Sequence, residues 1–316
     1  MINEYIIIGA GLSGLNTARE LRKFNSNPLL VIEKSRGIGG RMATRRSLNT
    51  KFDHGAQFYK HRDDISDLHN HWSSKELNHQ WFFDNNFEHW CSKNGMTALP
   101  KSMIDNVEVQ LEKQIRTVDL NDNIWKLTSD KGEEWFCKNL IITSPLPQTV
   151  KLLEELDKKG LLDKDVWNDL KNIKYTMALV GLITLDQDMN LGPDGYQEFQ
   201  SGDFFSFADQ KAKGLSNIPA LTVTMSPEFS ENNFDQPDEH NLNKILDAVK
   251  KQFPEIKIKE AELKKWRFCR PNSCYKDYFS EISPKLFLIG DSFGGASLSG
   301  ALRSSNALCR FLQKTL

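Results

Sequence analysis

The sequence predicts an α/β (α+β mixed) fold in which a β-rich domain is inserted into a domain built on a parallel sheet. Three observations predict it. An apolar run at residues 5–8 passes directly into the glycine turn Gly9-Ala10-Gly11-Leu12-Ser13-Gly14 and then into a helical pattern. A second apolar run, residues 29–32, ends at Glu33. Strand-like segments fill the middle of the chain, and short buried-type runs return at residues 140–143 and 286–289.

Residues 4–8 read as a buried strand, apolar after Glu4. From Gly11 to Asn25, Leu12, Leu15, Ala18, Leu21 and Arg22 recur at three- and four-residue spacing, the period of a helix. Pro28 ends it, and residues 29–32 form the second strand. This β-α-β unit has the ~30-residue length that a dinucleotide fingerprint requires. Residues 69–95 are dense in His and aromatic residues (Trp72, Trp81, Phe82, Phe83, Phe87, Trp90) and read as cavity walls or a domain seam. Residues 95–103 read as a turn into a helix and 107–111 as a strand. Residues 124–127 and 135–137 read as a hairpin, and 140–143 as a further strand stopped by Pro145 and Pro147. Residues 149–172 read as helical; 178–185, 204–208 and 220–225 as strands; 231–240 as an exposed acidic loop. A helix over 241–253 ends at Pro254, and 298–312 form a terminal helix. The expected division is a nucleotide-binding domain of residues 1–60, 96–148 and 280–316, and a substrate domain of residues 61–95 and 149–279.

A chain of 316 residues is long enough for a full core and two domains. Its hydrophobic fraction of 39% and charged fraction of 26% are those of an ordinary globular protein. The net charge of −1 gives no reason to expect nucleic acid or an anionic membrane as partner. The apolar runs are far shorter than the ~20 residues that span a bilayer. The N-terminus lacks the cationic start and cleavage site of a signal peptide. Five scattered cysteines, without a CxxC pair, read as free thiols in a reducing compartment, and a cytoplasmic location is expected.

The motifs carry the chemistry. In the opening turn Gly9 permits the tight bend, Gly11 lets the backbone approach a pyrophosphate, and Gly14 allows close helix–strand packing. The helix start offers free N–H groups to phosphate. Glu33 ends the second strand, where a carboxylate accepts the hydroxyls of an adenosine ribose. Gly39-Gly40-Arg41-Met42 lets a second loop pass close to the cofactor, with Arg41 as a counter-charge. In Asp53-His54-Gly55-Ala56-Gln57 the backbone and Gln57 suit the edge of a flavin ring, Asp53 is read as fixing the loop, and His54 is a base only by residue type. Gly290-Asp291 follows a buried strand, where the carboxylate suits a ribitol chain. The helix starting at Leu298 suits a developing negative charge on a reduced flavin. The histidines at 69, 71, 79 and 89 fit no common zinc spacing, and no metal is expected.

Taken together, these strings resemble the flavin amine oxidase superfamily, and within it the renalase-like branch of FAD-dependent oxidoreductases. Trp266-Arg267-Phe268 and Gly290-Asp291-Ser292-Phe293 add to the likeness. The resemblance implies a glutathione-reductase-type FAD-binding Rossmann domain with an inserted mixed, β-rich substrate domain, and non-covalent FAD. It places Gly9, Gly11, Leu12, Ser13, Gly14, Glu33, Lys34, Gly40, Arg41, Met42, Gly55, Ala56, Gln57, Asp291 and Leu298 along the cofactor, with Ile115 contacting adenine through its backbone. Gln57, Tyr59 and Trp266 are the pocket candidates, with Trp266 near the flavin face. The implied reaction is oxidation of a dihydronicotinamide dinucleotide, the 2- or 6-dihydro-NAD(P) isomer, by hydride transfer to flavin N5. Oxygen then takes the electrons and becomes hydrogen peroxide. An amine oxidase or desaturase of the same fold is the enzyme alternative; a flavin- or nucleotide-binding sensor without turnover is the other. Residues 177–185 hold no lysine of the kind many amine oxidases carry beside N5, which weighs against amines.

Overall fold

The structure, a computed structural model, describes residues 2–84 and 86–315. The chain forms two compact units, Met1–Gly40 with Pro100–Lys174 and Arg270–Leu316, and Arg41–Leu99 with Tyr175–Cys269.

The first unit is organised by β1 (Ile2–Ile8), α1 (Leu12–Arg22) and β2 (Leu29–Ile32). Strand β1 pairs in parallel with β2 on one side and with Glu134–Ile142 on the other. Leu286–Leu288 continues the parallel set beyond Glu134–Ile142, and Glu108–Gln110 beyond β2. The central stretches of these strands are apolar, and Ile6, Ile7, Val31 and Ile141 are essentially inaccessible. The five parallel strands end side by side, and Gly9, Glu33, Thr143 and Gly290 stand just beyond four of those ends. In open α/β sheets that edge is where ligands bind. The terminal helix Leu298–Thr315 packs on α1 through polar contacts: Ser13 Oγ donates to Ala301 O at 3.0 Å, and Asn16 Nδ2 donates to Ser305 Oγ at 2.8 Å.

The second unit holds a five-stranded sheet in the order Tyr196–Glu198, Phe204–Asp209, Ala220–Met225, Tyr175–Leu185, Ile258–Pro271. Along Tyr175–Leu185 successive side chains face opposite sides, as a strand requires. Leu179 and Ile183 join Phe207, Val223, Ile245 and Val249 under the helix Asp238–Gln252. Ala178, Val180 and Leu182 join Phe52 and Trp266 on the other side. A hairpin of β3 (Thr44–Ser47) and β4 (Thr50–Asp53) and a three-stranded sheet of Tyr59–Lys60, Phe87–Cys91 and His79–Asp84 complete this unit.

The observed elements differ from the expected ones in particular places. The segments 135–137 and 140–143 are one strand, Glu134–Ile142. The polar pair Lys138 and Asn139 breaks the apolar run, but Asn139 Nδ2 donates to Glu4 O at 3.0 Å and Lys138 pairs with the Glu4 carboxylate. The expected loop at 231–240 is largely helical. Ser226 caps Pro227–Asn233 by accepting from Phe229 N–H, and Asp238 and Glu239 sit in the first turn of the next helix, where its dipole favours them. The helical stretch near 149–172 is three short helices: Leu146–Leu152, Glu154–Lys158 and Lys164–Lys171. Residues 41–60 group with the second unit because the β3–β4 hairpin ends in that unit's core at Phe52; residues 149–174 group with the first. Among the described residues no helix is long and apolar enough to cross a membrane.

Asp163 caps Lys164–Lys171 by accepting from the N–H groups of Asp165 and Val166, both at 3.1 Å. Asp163→Ala is expected to lower unfolding free energy by about 1 kcal/mol, measured by urea denaturation.

Candidate cofactor site

In the first unit the fingerprint turn is built by close backbone approach. Gly9 has φ +109°, and a Cβ there would lie 2.4 Å from Thr143 Oγ1. A Cβ on Gly14 would stand 2.0 Å from the Gly9 carbonyl oxygen. The turn closes only with glycine at both positions. It delivers Gly11 to the N-cap of α1, which has neither a side-chain cap nor an acidic residue in its first turn. The first N–H groups of α1 therefore keep their partial positive charge for an anion.

Glu33 is 9% exposed. Its Oε2 accepts from Ala10 N–H at 2.9 Å and its Oε1 from Ser35 N–H at 2.8 Å. A carboxylate accepts about four hydrogen bonds, so two places remain, the number a ribose diol needs. Its own carbonyl accepts from Lys113 N–H at 3.0 Å, which brings the start of Ile115–Asn121 to this edge. Gly39 N–H donates to Ala10 O at 2.8 Å, and a Cβ on Gly40 would be 3.3 Å from Gly11 Cα, so the second glycine loop lies on the first. Lys34 is exposed and donates to Gln148 Oε1 at 2.8 Å. Asp291 is buried and follows Gly290, whose N–H donates to Ser304 Oγ at 2.9 Å. Arg303 donates from Nε and Nη2 to Gly294 O, at 3.1 and 2.8 Å, and so fastens the segment after Asp291. Leu298 opens the 18-residue terminal helix. The structure thus gathers the fingerprint, Glu33, Gly40, Asp291 and Leu298 in one unit, with Ile115 beside Glu33.

Arg41, Met42, Gly55, Ala56 and Gln57 belong to the second unit. There the two loop motifs lie on one another. Ala56 N–H donates to Arg41 O at 2.9 Å, and a Cβ on Gly55 would come within 1.9 Å of that oxygen. Arg41 donates to Cys269 O at 3.1 Å, with its guanidinium 5.9 Å from the Tyr175 ring centre. The Gln57 amide, expected beside the flavin, is engaged inside the unit by Asp53 O, Gln210 Nε2 and Lys213 Nζ. Tyr59, expected in a pocket wall, is 2% exposed, with Asn78 Nδ2 donating to its hydroxyl and His69 Nδ1 3.1 Å away. Trp266 is half-buried, donates from Nε1 to His54 O at 2.7 Å, and stacks on the His54 ring at 5.3 Å between centres. Two contributors were missed in the sequence: Lys213 and Gln210, which stand in no motif. Among the described residues no three His, Cys, Asp or Glu side chains gather as a metal site would need.

His54 tests the general-base idea. Burial, then the nearby Lys264 charge, lowers its imidazole to about 4. The ring is therefore neutral at physiological pH, and its Nδ1 is buried without a hydrogen-bond partner among the described residues. An unpartnered buried acceptor or donor beside residues 55–57 is what a polar ligand edge would satisfy. Within the first unit the Glu33 carboxylate and the uncapped helix start fit the nucleotide half of a flavin dinucleotide; within the second, the His54 nitrogen is open to a polar group.

Two outcomes follow from this geometry. Glu33→Ala is expected to weaken FAD binding roughly 10- to 100-fold, by loss of charge-assisted hydrogen bonds, read from flavin release on dilution. The native His54 value lies below the ordinary value of about 6.5, so the unfolded chain takes up a proton first as pH falls. Stability from neutral His54 is complete above about pH 6.5 and drains away toward about pH 4, on the order of 2 kcal/mol lost by about pH 5. His54→Gln is expected to flatten that part of the profile in urea unfolding at the two ends of the window.

The family described as "NAD(P)-binding Rossmann-like domain" matches residues 7–72, and the family described as "Flavin containing amine oxidoreductase" matches residues 67–309. The chain is 22% identical to renalase of Mus musculus, with 99% of each protein covered. Among solved structures it is similar to a triple mutant of putrescine oxidase redesigned in its cofactor binding, at TM-score 0.76 and 13% identity over 99% of each chain. It is also similar to a CLA-producing fatty acid isomerase from P. acnes, at TM-score 0.71 and 11% identity over 98% of each chain. With most of its length matched by the second family, the chain belongs to the flavin containing amine oxidoreductases and is an FAD-dependent oxidoreductase.

Proposed function

We propose that this enzyme oxidises reduced nicotinamide dinucleotides of the 2- or 6-dihydro form. When bound, FAD would supply the hydride acceptor for this oxidation, with oxygen as the final acceptor and hydrogen peroxide as its product. Glu33 holds the adenosine ribose, with the Ile115 backbone at adenine. The start of α1 and the Gly40 loop bind the pyrophosphate, with Arg41 as a further positive charge. Asp291 binds the ribitol, and the amides at the start of the terminal helix meet the pyrimidine edge. Met42 and residues 55–57 line the ring, and Trp266, locked by His54, offers an aromatic face to the substrate. The thiol of Cys274 donates to Asp291 O at 3.4 Å, and the cofactor is proposed to be held without a covalent bond. No disulfide joins the five cysteines, which supports a reducing compartment such as the cytoplasm.

One observation carries the choice of substrate: the imidazole of the Asp53–Gln57 motif is kept neutral, with a value near about 4, and is spent on stacking. An amine or alcohol gives up a proton as well as a hydride, and its oxidation is helped by a base poised near the working pH. A dihydropyridine gains aromaticity on losing hydride alone and needs only to be placed against the acceptor. The full-length likeness to renalase supports the same reading.

Anaerobic mixing of the yellow holoprotein with 6-dihydro-NAD, with ordinary NADH and with a panel of amines tests it. The 6-dihydro isomer is expected to bleach the flavin band fastest, with peroxide appearing on admission of air. Bleaching by amines alone would overturn the assignment in favour of an amine oxidase. A flavin that no donor bleaches would favour a sensor.

A further inference from the structure

Lys213 and Asp53 form an ion pair in which both side chains are wholly inaccessible. Lys213 Nζ donates to Asp53 Oδ2 at 2.7 Å and to Gln57 Oε1 at 3.3 Å, and lies 5.2 Å from the Trp81 ring centre. Asp53 Oδ1 accepts from Thr44 Oγ1 at 2.5 Å and from Met96 N–H at 2.9 Å. The backbone of Asp53 is held as well. Its N–H donates to Gln210 Oε1 at 3.2 Å, and its carbonyl accepts from Thr222 Oγ1 at 3.0 Å and Gln57 Nε2 at 2.6 Å.

Stability is a poor reason to keep such a pair, because apolar residues of similar volume often serve as well or better. Geometry gives a better one. The network holds residues 53–57 through the carboxylate and main chain of Asp53 and the side chain of Gln57. On that segment the N–H groups of His54 and Ala56 are taken by Ala43 O and Arg41 O. The N–H groups of Gly55 and Gln57 donate to no acceptor among the described residues, although Gln57 is 7% exposed. Gln57 is buried and Gly55 half-buried, and both amides are left as donors available to a ligand.

We propose that Lys213 is a positioning residue: by neutralising Asp53 and bonding Gln57 it holds the amides of Gly55 and Gln57 in place to donate to FAD. This rests on the reading that residues 55–57 line the cofactor. Lys213 itself touches neither cofactor nor substrate. Its removal changes how the flavin is held before it changes turnover.

The test uses purified holoprotein. Lys213→Met leaves a buried carboxylate unpaired and is expected to lower the thermal midpoint sharply. The double variant Asp53→Asn with Lys213→Met restores neutrality while keeping the acceptor for Thr44 and Met96. It is expected to recover most of the midpoint, yet to bind FAD about tenfold more weakly and to shift the visible flavin band. A double variant with wild-type affinity and spectrum would overturn the proposal, because a pair that only packs would leave both unchanged. If neither Lys213 variant is soluble, Gln210→Leu decides by the same two readouts: weakened binding with a shifted band supports the network's role, and wild-type values overturn it. Hydrogen–deuterium exchange of wild-type protein with and without FAD separates the two levels. No slowing at residues 54–58 would sink both the cofactor reading of this loop and the role of Lys213. Slowing there, with unperturbed variants, would sink the role of Lys213 alone.

Discussion

The approach of Gly14 to the carbonyl of Gly9 is the constraint on which the nucleotide-binding unit depends. A single methyl group at residue 14 would have to occupy a point 2.0 Å from that oxygen. The contact sets how closely α1 comes off the end of β1, and thereby where its first N–H groups point. It also lowers the backbone of residues 9–11 enough for Ala10 to reach the Glu33 carboxylate and for Gly39 to reach Ala10. The turn, the acid and the second glycine loop are therefore one hydrogen-bonded object rather than three motifs. Thr143 closes it from the neighbouring strand, its Oγ1 donating to Ile8 O at 3.0 Å in the space that a side chain at Gly9 would fill.

The second unit solves a different problem. It must hold a loop with open amides against its own sheet, and it does so with charge rather than apolar packing. Asp53 is the hinge of that solution. It ends β4, pairs with Thr44 across the hairpin, and collects six hydrogen-bonding partners from four separate stretches of chain. Three of the six, Thr44, Met96 and Lys213, are taken by the carboxylate, and the other three by the main chain. Burial makes each bond stronger and makes the absence of any one of them more costly. Lys213 sets its ammonium 2.7 Å from the buried carboxylate, a counter-charge where water is excluded.

How much of this was legible in the sequence follows from how local each signal is. Gly9, Gly11, Gly14 and Glu33 act through a turn and two strands contained in about thirty residues, so spacing alone reveals them. Asp291 and Leu298 follow an apolar strand and were legible for the same reason. The strand Ile258–Pro271 escaped because its lysines and glutamates mask the alternation, although Trp266 within it stood out by composition. The β3–β4 hairpin escaped because its turn uses Leu48 and Asn49 at positive φ in place of an Asn-Gly pair. Lys213 lies more than 150 positions from Asp53. No periodicity or spacing rule connects residues so far apart, and a lysine in a Gly- and Lys-containing turn reads as solvated until the fold is known. Gln57 was expected beside the flavin, but its side chain faces the network, which spacing in sequence does not reveal.

His54 shows why residue type alone misassigns chemistry. Imidazole is the usual base at neutral pH because its ordinary value lies there. Here the ring is withdrawn from water beside Lys264, and both influences oppose protonation. The carbonyl of the same residue anchors the Trp266 indole, and the ring stacks on that indole at an interplanar angle of 20°. A protonated ring in that position would be a buried cation facing Lys264, so the stack and the neutral state support one another. A site arranged in this way presents flat, uncharged surfaces and fixed amide donors, which orient a planar heterocycle well and remove a proton poorly. That balance is the ground on which we propose a donor whose oxidation is driven by its own aromatisation over one that waits for a base.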